Sequence, residues 1–338
     1  MPITPHSVIL IYLMLSTAMT AMSNSWLTAW LSLEMNTLVF LPIISKTKHP
    51  QTAVAATKYF LTQTFASCLL LFSSALNAWY TGTWSITQLD NKTAATLMLL
   101  ALTMKAAAAP THFWLPEVMQ GCTMTTATLI SVWQKIVPTI LILSMYHHAP
   151  SNITIIAGLL STASSGFGGI DKTQLWKTIT YAAITNMGWM LLILASQPKT
   201  SMMALLLYMA IITSAMLMME KNSTKTLKNM EAAWSTSPTL AILAALMLLS
   251  ASELLPLTDL MPKLIALGKL VPQNLAPLAV VATTTTFFIL LLYLRTMLPD
   301  PSNSAASSMK WRQQVNAQTM MLAPIVLTTT FSLTLLTG

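Results

Sequence analysis

The chain has 338 residues, of which 54% are hydrophobic and only 8% are charged, whereas ordinary soluble domains carry roughly 25% charged residues. So few charges cannot cover the surface of a globule, which excludes a soluble enzyme and a disordered chain. The net charge of +8 comes from 17 basic residues that form no run of five, and there are two cysteines, so we expect no nucleic-acid partner, iron–sulfur cluster or metal site.

The apolar stretches divide into eleven helices, each close to the roughly 20 residues that cross a bilayer core. Polar clusters, charges and Pro/Gly breaks set their ends. The fourth and the ninth are too long and too interrupted to be single rods. We predict an all-α polytopic membrane protein that forms one membrane domain over residues 1–338. The predicted helices are residues 3–22, 25–45, 57–79, 94–120, 124–146, 152–169, 174–196, 199–219, 238–270, 276–298 and 319–336.

The loops between these helices differ sharply in charge. Eleven spans place the termini on opposite sides, and loops on the N-terminal side carry ten basic residues against three on the other. The positive-inside rule therefore puts the N-terminus in the compartment where the chain is made. The ten are Lys46, Lys48, Lys172, Lys177, Lys221, Lys225, Lys228, Arg295, Lys310 and Arg312, and the three are Lys92, Lys199 and Lys269.

Four ionisable residues lie inside predicted spans, where charges are costly and usually functional. They are Glu34, Lys105, Lys135 and Lys263. Each has a plainer explanation, either a side chain that reaches the headgroups along its own stem or a structural ion pair. Lys105 and Lys135 lie about midway along their spans, which favours a functional role for these two.

Buried lysines paired with a carboxylate are suited to carrying protons. Poor solvation weakens the hold of a lysine on its proton, and a nearby carboxylate strengthens it. Moving or screening the carboxylate therefore lets the amine take up or release a proton near neutral pH. We predict Glu34 and Lys105 as such a coupled pair in a proton relay that needs no redox cofactor.

The two interrupted spans combine prolines with charges. Lys105 is followed by a proline at 110 and by His112, and in the ninth span two prolines bracket Asp259 and precede Lys263. Proline removes a backbone donor and frees a carbonyl, and in a membrane such groups must face protein or a water-filled cavity. Discontinuous spans are typical of ion sites in transporters. A merely kinked helix is the alternative.

The chain also shows a pattern of duplication. Spans one to five (1–150) and six to ten (151–298) are about equally long, and in each set the fourth member is interrupted and carries a lysine. Because five is odd, the second set begins on the opposite side of the membrane, as in an inverted repeat. Residues 299–338 add a loop and the last helix. The residues of the two halves show negligible similarity, so this prediction rests on the pattern alone.

Several segments together resemble one family, in the right order and over essentially the whole chain. They are Lys-Tyr-Phe-Leu-Thr-Gln at 58–63, Met-Lys at 104–105 leading to Pro-Thr-His-Phe-Trp-Leu-Pro-Glu at 110–117, Trp-Gln-Lys-Ile at 133–136, Asn-Met-Gly-Trp-Met at 186–190 and Met-Pro-Lys at 261–263. They are similar to the mitochondrially encoded chain 2 subunits of NADH–ubiquinone oxidoreductase, respiratory complex I, in their vertebrate form. The 25 methionines fit a mitochondrial genetic code.

The resemblance implies an antiporter-like subunit of the membrane arm that couples quinone reduction elsewhere in the complex to proton movement. NADH, FMN, iron–sulfur clusters and ubiquinone would be bound by other subunits, with no cofactor in this chain. Its partners would be other membrane-arm subunits, including a neighbouring antiporter-like chain. The resemblance places it in the mitochondrial inner membrane, with the N-terminus in the matrix and the C-terminus in the intermembrane space. We expect the basic matrix edge to bind lipids such as cardiolipin.

The resemblance also implies roles for the buried charges. Residues matching Glu34 and Lys105 form the coupling pair in this family, the one matching Lys135 is the central relay lysine, and the one matching Lys263 lies on the route to the far side. His112 is a further candidate of lower weight.

The sequence departs from the family pattern at three places. The family usually has Lys-Leu-Gly-Leu-Ala-Pro where this chain has Lys105 followed by four alanines, and we expect the loss of glycine to make that break more helical. Asn186 stands where a histidine is common. Glu253 and Asp259 are additional acids: either Asp259 pairs with Lys263 and impairs proton release, or the acids line an aqueous cavity and add carriers.

Three functions fit these observations. The first is a proton-translocating subunit of complex I, and the second is a free-standing antiporter of the related sodium/proton type. The third is a structural membrane-arm subunit in which buried charges serve packing. The full-length resemblance favours the first.

Overall fold

The computed structural model describes residues 5–46, 49–169, 175–221, 247, 260–272 and 275–297. Regular structure in these ranges is helical, apart from one isolated antiparallel bridge between Ser25 and Ser85. The helices are α1 (Pro5–Ala21), α2 (Trp26–Ile44), α3 (Pro50–Thr81), α4 (Lys92–Lys105), α5 (Trp114–Gly121), α6 (Met124–Ser144), α7 (Ser151–Gly169), α8 (Leu175–Ser196), α9 (Pro198–Lys221), α10 (Leu260–Leu270) and α11 (Ala276–Met297).

The predicted spans agree with these helices closely. The fourth predicted span is discontinuous, as expected, and corresponds to α4 and α5 together. Most of the ninth span, including its expected break, lies outside the described residues, and so does the last span at 319–336. Five described helices (α2, α3, α6, α8 and α9) are long and apolar enough to cross a membrane, and shorter apolar segments lie in α1 and α11. An all-α, multi-span membrane fold is confirmed.

Local signals set the ends of the long third helix. His49 caps its first turn by accepting from the Gln51 N–H, Pro50 occupies the first helical position, and Thr52 completes a capping box. Proline suits this position because its missing N–H would have no helical partner there. At the other end the chain turns at Gly82, whose φ of 72° is left-handed, a conformation that glycine adopts without steric cost.

The chain divides into two compact units, Met1–Ser161 and Thr162–Gly338. In the first unit α3 packs along α2, α4 and α5, and α6 packs against α1, α2 and α4. In the second unit α8 packs with α9, α10 and α11, and α10 also contacts α9. The α8 helix is the most enclosed of the long apolar helices, with 83% of its apolar stretch buried.

The break in the fourth span begins immediately after Lys105. The Ala108 N–H donates to the Thr103 carbonyl at 2.9 Å and the Ala107 N–H donates to the Met104 carbonyl at 3.2 Å, which is the bond pattern of a Schellman motif. Ala107 has a left-handed φ of 60°. The expectation that losing glycine makes this break more helical is therefore wrong: the capping bonds hold an alanine where glycine is usual.

The short helix α5 is fastened to α3 on the far side of the break. The Lys58 ammonium lies 2.6 Å from the Glu117 carboxylate, in an exposed ion pair. A Cβ added at Gly121 would lie 2.6 Å from both the Ala55 Cβ and the Gln51 carbonyl oxygen. Only glycine permits this approach, so α5 ends in direct backbone contact with the beginning of α3.

Candidate functional site

The three lysines predicted inside spans are buried. Their residues are 3% (Lys105), 2% (Lys135) and 4% (Lys263) exposed. A lysine that reached the headgroups along its stem would expose its amine, so this plainer explanation does not fit. Lys105 and Lys135 belong to the first unit, whereas Lys263 belongs to the second.

Glu34 is held by hydroxyl groups from two helices. It lies on α2, half-buried, and one carboxylate oxygen accepts from the Thr37 hydroxyl of the same helix at 2.9 Å. The other oxygen accepts from the Ser67 hydroxyl of α3. The two bonds therefore hold the carboxylate between α2 and α3.

Lys105 ends α4 at the break and lies within electrostatic reach of Glu34 and of the Cys68 thiol. Its amine has no hydrogen-bond partner among the described residues. The ion pair between Lys58 and Glu117 is the one found within 4 Å in the described part of the chain. Glu34 and Lys105 are thus brought into electrostatic coupling without direct contact, which argues against a structural ion pair between them.

One carbonyl at the break accepts a hydrogen bond from a side chain in addition to its backbone donor. The Trp114 indole, on α5, donates to the Met104 carbonyl oxygen at 3.1 Å. The ring of Trp114 packs edge-on against Tyr59, with centroids 5.9 Å apart, and Tyr59 in turn contacts Phe40 at 6.4 Å. These aromatic rings enclose the break within helices α2, α3 and α5.

A line of buried amides connects the helices around Lys135. The Asn36 side-chain amide, on α2, donates to the side-chain oxygen of Gln134 on α6 at 3.4 Å. The Ser16 hydroxyl of α1 donates to the side-chain oxygen of Asn36 at 3.5 Å. Gln134 precedes Lys135 in the sequence, and the Tyr59 hydroxyl lies close to Gln134 without hydrogen-bond geometry.

Several buried polar atoms of this unit lack a partner among the described residues. Buried polar groups in proteins are nearly always hydrogen-bonded, to protein or to ordered water. Ordered water would supply the missing partners. The atoms are the Lys105 amine, the Tyr59 hydroxyl, the amide nitrogens of Gln63 and Gln134, the Nδ1 atom of His112, the Asn77 side-chain oxygen and the indole nitrogens of Trp26, Trp30 and Trp133. His112 lies in the break, 3% exposed, with its ring 4.1 Å from that of Phe113.

In the second unit, the Lys263 amine donates to the Asn186 side-chain oxygen at 2.8 Å. Asn186 lies on α8 and is 9% exposed, so this bond joins α10 to the enclosed helix. The additional acids Glu253 and Asp259 lie outside the described residues.

Sequence reasoning identified the charged residues but missed their uncharged partners. Ser67, Asn36, Gln134 and Tyr59 had no predicted role, and Asn186 was noted only as a departure from a family pattern. Amides in the middle of otherwise apolar helices are the signal that points to Asn36 and Gln134. Nothing in the sequence identifies Ser67, since serine and threonine are frequent in these spans. No group of three potential metal ligands occurs in the part of the chain that the structure describes.

Comparison with known proteins bears directly on this arrangement. Residues 23–289 match the family described as NADH:quinone oxidoreductase/Mrp antiporter, TM. NADH-ubiquinone oxidoreductase chain 2 of Oncorhynchus mykiss is 40% identical over 337 residues, covering 98% of this chain and 95% of that protein. Chain 2 of Varanus melinus is 41% identical, covering 94% of this chain and 93% of that protein. The chain belongs to the chain 2 family.

Solved structures show the same fold as this chain 2 family member. A chain of respiratory complex I from Thermus thermophilus with bound aureothin superposes with a TM-score of 0.84 at 21% identity, covering 96% of this chain and 77% of that chain. A chain of the Mrp complex from Dietzia sp. DQ12-45-1b gives 0.82 at 16% identity, covering 98% of this chain and 76% of that chain. At these identities the likeness concerns the fold alone.

Proposed function

We propose that this chain is a proton-translocating subunit in the membrane arm of NADH–ubiquinone oxidoreductase, respiratory complex I, in the mitochondrial inner membrane. It couples quinone reduction in other subunits to proton movement through a buried relay. Glu34, Lys105 and Lys135 serve as carriers in the first unit and Lys263 in the second, with His112 in a subordinate role. Family membership, at 40% identity to chain 2 of Oncorhynchus mykiss, supports the assignment to complex I.

The observation that carries the proposal is the environment of the Lys105 amine. Its amine is buried, has no hydrogen-bond partner among the described residues, ends a broken helix and interacts electrostatically with Glu34. A purely structural lysine at this depth would be expected in a close ion pair. An amine without one can gain or lose its proton when a nearby charge changes.

The strength of such coupling is sufficient to move a proton. Two unit charges about 8 Å apart interact by about 2 kcal/mol at an effective dielectric constant of about 20. One pKa unit corresponds to about 1.4 kcal/mol. Neutralising or moving the Glu34 charge therefore changes the proton occupancy of a neighbouring amine by more than about tenfold. The hydroxyls of Ser67 and Thr37 hold the Glu34 carboxylate in place, and ordered water bound at the unpartnered polar atoms would give the proton a path.

The proposal includes the organisation of the whole chain in the membrane. It has eleven spans in a single membrane domain, with residues 1–150 and 151–298 as two five-helix inverted repeats and 299–338 as a loop and last helix. The N-terminus faces the matrix and the C-terminus the intermembrane space. The observed break in the fourth span supports the first repeat, and the excess of basic residues in alternate loops supports the orientation.

The chemistry of electron transfer belongs to other subunits in this proposal. NADH, FMN, iron–sulfur clusters and ubiquinone are bound there, and this chain holds no redox centre. Its partners are other membrane-arm subunits, including a neighbouring antiporter-like chain, and lipids such as cardiolipin bind the basic matrix edge.

Replacing the relay lysines tests the function. In assembled complex I in inner-membrane vesicles, Lys105→Ala and Lys135→Ala should lower the rate of coupled proton transfer about tenfold or more. Lys92→Ala is the matched control, because Lys92 is an exposed lysine at the other end of α4 and should leave the rate unchanged. Normal assembly with normal proton transfer per NADH in both relay variants would instead support a structural subunit.

Solubilised membranes separate the complex I subunit from a free-standing antiporter. After mild detergent extraction, the chain should migrate on a native gel with a megadalton assembly that oxidises NADH. Migration as a small separate complex without NADH oxidation would favour the antiporter.

A further inference from the structure

The amine of Lys263 and the side chain of Asn186 form one of the few buried contacts between an ionisable group and an amide in the described residues. The donor–acceptor distance is 2.8 Å, and both residues are almost fully enclosed, at 4% and 9% exposure. The contact joins α10 to α8, two helices of the same compact unit. An ammonium group at this depth needs acceptors to offset its lost hydration.

The helix that carries Asn186 is firmly fixed in this unit. The Thr185 hydroxyl, next to Asn186, is hydrogen-bonded to the Ser165 hydroxyl of α7 at 2.8 Å, in a buried contact. One turn before Thr185, the Tyr181 ring of α8 packs against Gly168 of α7. A Cβ added at Gly168 would lie 2.5 Å from this ring. Because α7 and α8 are held together in this way, the Asn186 oxygen presents a fixed acceptor to the amine.

The chemistry of the amide determines what this contact can do. A side-chain amide oxygen accepts a hydrogen bond from an ammonium group and favours its charged form. The amide does not itself titrate, so it neither takes the proton nor contributes a charge that would hold it. We propose that Asn186 is a positioning residue for Lys263, whose amine it holds in one orientation for proton transfer to another acceptor.

This inference rests on the proposed function, because it concerns a lysine of the relay. It adds a residue that acts through Lys263 and carries no proton itself. Two expectations follow that a packing role would not share. Removing the acceptor should matter only while Lys263 is present, and restoring an amide should restore function even at the cost of extra volume.

The experiment is a double-mutant cycle in assembled complex I in inner-membrane vesicles, with coupled proton transfer per NADH oxidised as the readout and native-gel migration as the measure of assembly. Asn186→Leu, which keeps similar volume without an acceptor, should lower proton transfer about tenfold, as expected for losing a hydrogen bond to a charged group. Asn186→Gln should recover part of that loss. In a Lys263→Met background, Asn186→Leu should cause no further loss.

The matched control is Thr180→Val on the same helix. Thr180 is fully buried, and its hydroxyl donates to the Lys177 carbonyl of its own helix at 2.7 Å, so its removal should leave proton transfer unchanged. If Asn186→Leu prevents assembly, Asn186→Ala removes the same acceptor without added bulk and takes its place in the cycle.

The outcomes distinguish the inference from the function beneath it. Unchanged proton transfer in Lys263→Met would overturn both the relay role of Lys263 and the role of Asn186. If Lys263→Met lowers proton transfer but Asn186→Leu does not, only the positioning role fails. A full additional loss from Asn186→Leu in the Lys263→Met background, or a Gln variant worse than Leu, would show a packing role and overturn the inference.

Discussion

The Glu34 carboxylate accepts hydrogen bonds from hydroxyl groups of two helices. The Ser67 hydroxyl donates from α3, and the Thr37 hydroxyl donates from one turn further along α2. Lys105 interacts electrostatically with this carboxylate but forms no ion pair with it. In the proposed relay, the hydroxyls therefore position the carboxylate whose charge acts on the lysine.

Removal of the Ser67 hydroxyl tests this dependence. Ser67→Ala should lower coupled proton transfer about tenfold or more, because a hydrogen bond to a charged group contributes about 1.5–3 kcal/mol and its loss removes one of the two groups that hold the carboxylate in place. Ser73→Ala is the control: Ser73 is equally buried on α3, and its hydroxyl, like that of Ser67, bonds a carbonyl of its own helix, but no bond to a carboxylate is seen for it in the described residues. The measurement is proton transfer per NADH in inner-membrane vesicles. Equal effects of the two variants would contradict the role of Ser67.

At the scale of single residues, charge was the informative signal in the sequence. Lys105, Lys135 and Lys263 stand out because lysine is rare in apolar spans, and their burial agrees with that reading. Ser67 could not be recognised, because a serine that bonds another helix and one that bonds its own look alike in sequence. The bond from Lys263 to Asn186 joins positions 77 residues apart, and no local pattern predicts it.

At the scale of elements, the break after Lys105 is made by backbone hydrogen bonds rather than by glycine. The Schellman bonds of Ala107 and Ala108 close the end of α4, and the Trp114 indole satisfies the Met104 carbonyl. A lysine in the last turn also lies at the negative end of the helix dipole, which favours its positive charge. The helix thus ends directly after the lysine, with its last carbonyls bonded by capping N–H groups and by the indole.

A glycine at position 107 should relieve the backbone. The left-handed conformation costs a non-glycine residue roughly 1–2 kcal/mol, so Ala107→Gly should raise the free energy of unfolding by about 1 kcal/mol. The measurement is SDS-induced unfolding of the chain in detergent micelles, followed by circular dichroism. Ala108→Gly is the control: its φ is not positive, and the added chain freedom should lower stability. A loss of stability in both variants would contradict the proposed strain at Ala107.

Helix positions were predictable from the sequence to within a few residues, because apolar length and polar punctuation determine where a membrane helix can lie. The third helix is the exception, since Pro50–Thr81 extends beyond the predicted 57–79 at both ends. Its extra N-terminal turns begin with the polar Gln51 and Thr52 and are capped by His49. The break in the fourth span was predicted from Pro110 and Lys105, but the seat of α5 on α3 through Gly121 depends on tertiary packing and could not be.

At the scale of the whole molecule, the exposed lysines predict the orientation of the chain in the membrane, and the length of α3 adds to that prediction. Lys46 and Lys92 are both exposed and lie on either side of α3. That helix has 32 residues and is about 48 Å long at 1.5 Å per residue, more than the roughly 30 Å of a bilayer core. We therefore expect the two lysines to lie on opposite sides of the membrane, with Lys46 on the matrix side by the positive-inside rule.

Chemical labelling from each side tests this assignment. A membrane-impermeant amine reagent should modify Lys92 in mitoplasts, whose outer face is the intermembrane side, and Lys46 in inside-out inner-membrane vesicles, with the sites identified by mass spectrometry. Lys199, exposed near the start of α9, serves as an internal control and should react together with Lys92, since an even number of spans separates the two in the proposed topology. The reverse pattern would invert the orientation, and modification of Lys46 and Lys92 from the same side would mean that α3 does not cross. Each span that crosses the membrane moves the following loop to the other side. Agreement at these three lysines would therefore show that an even number of crossings separates Lys92 from Lys199, as expected if the broken fourth span crosses once.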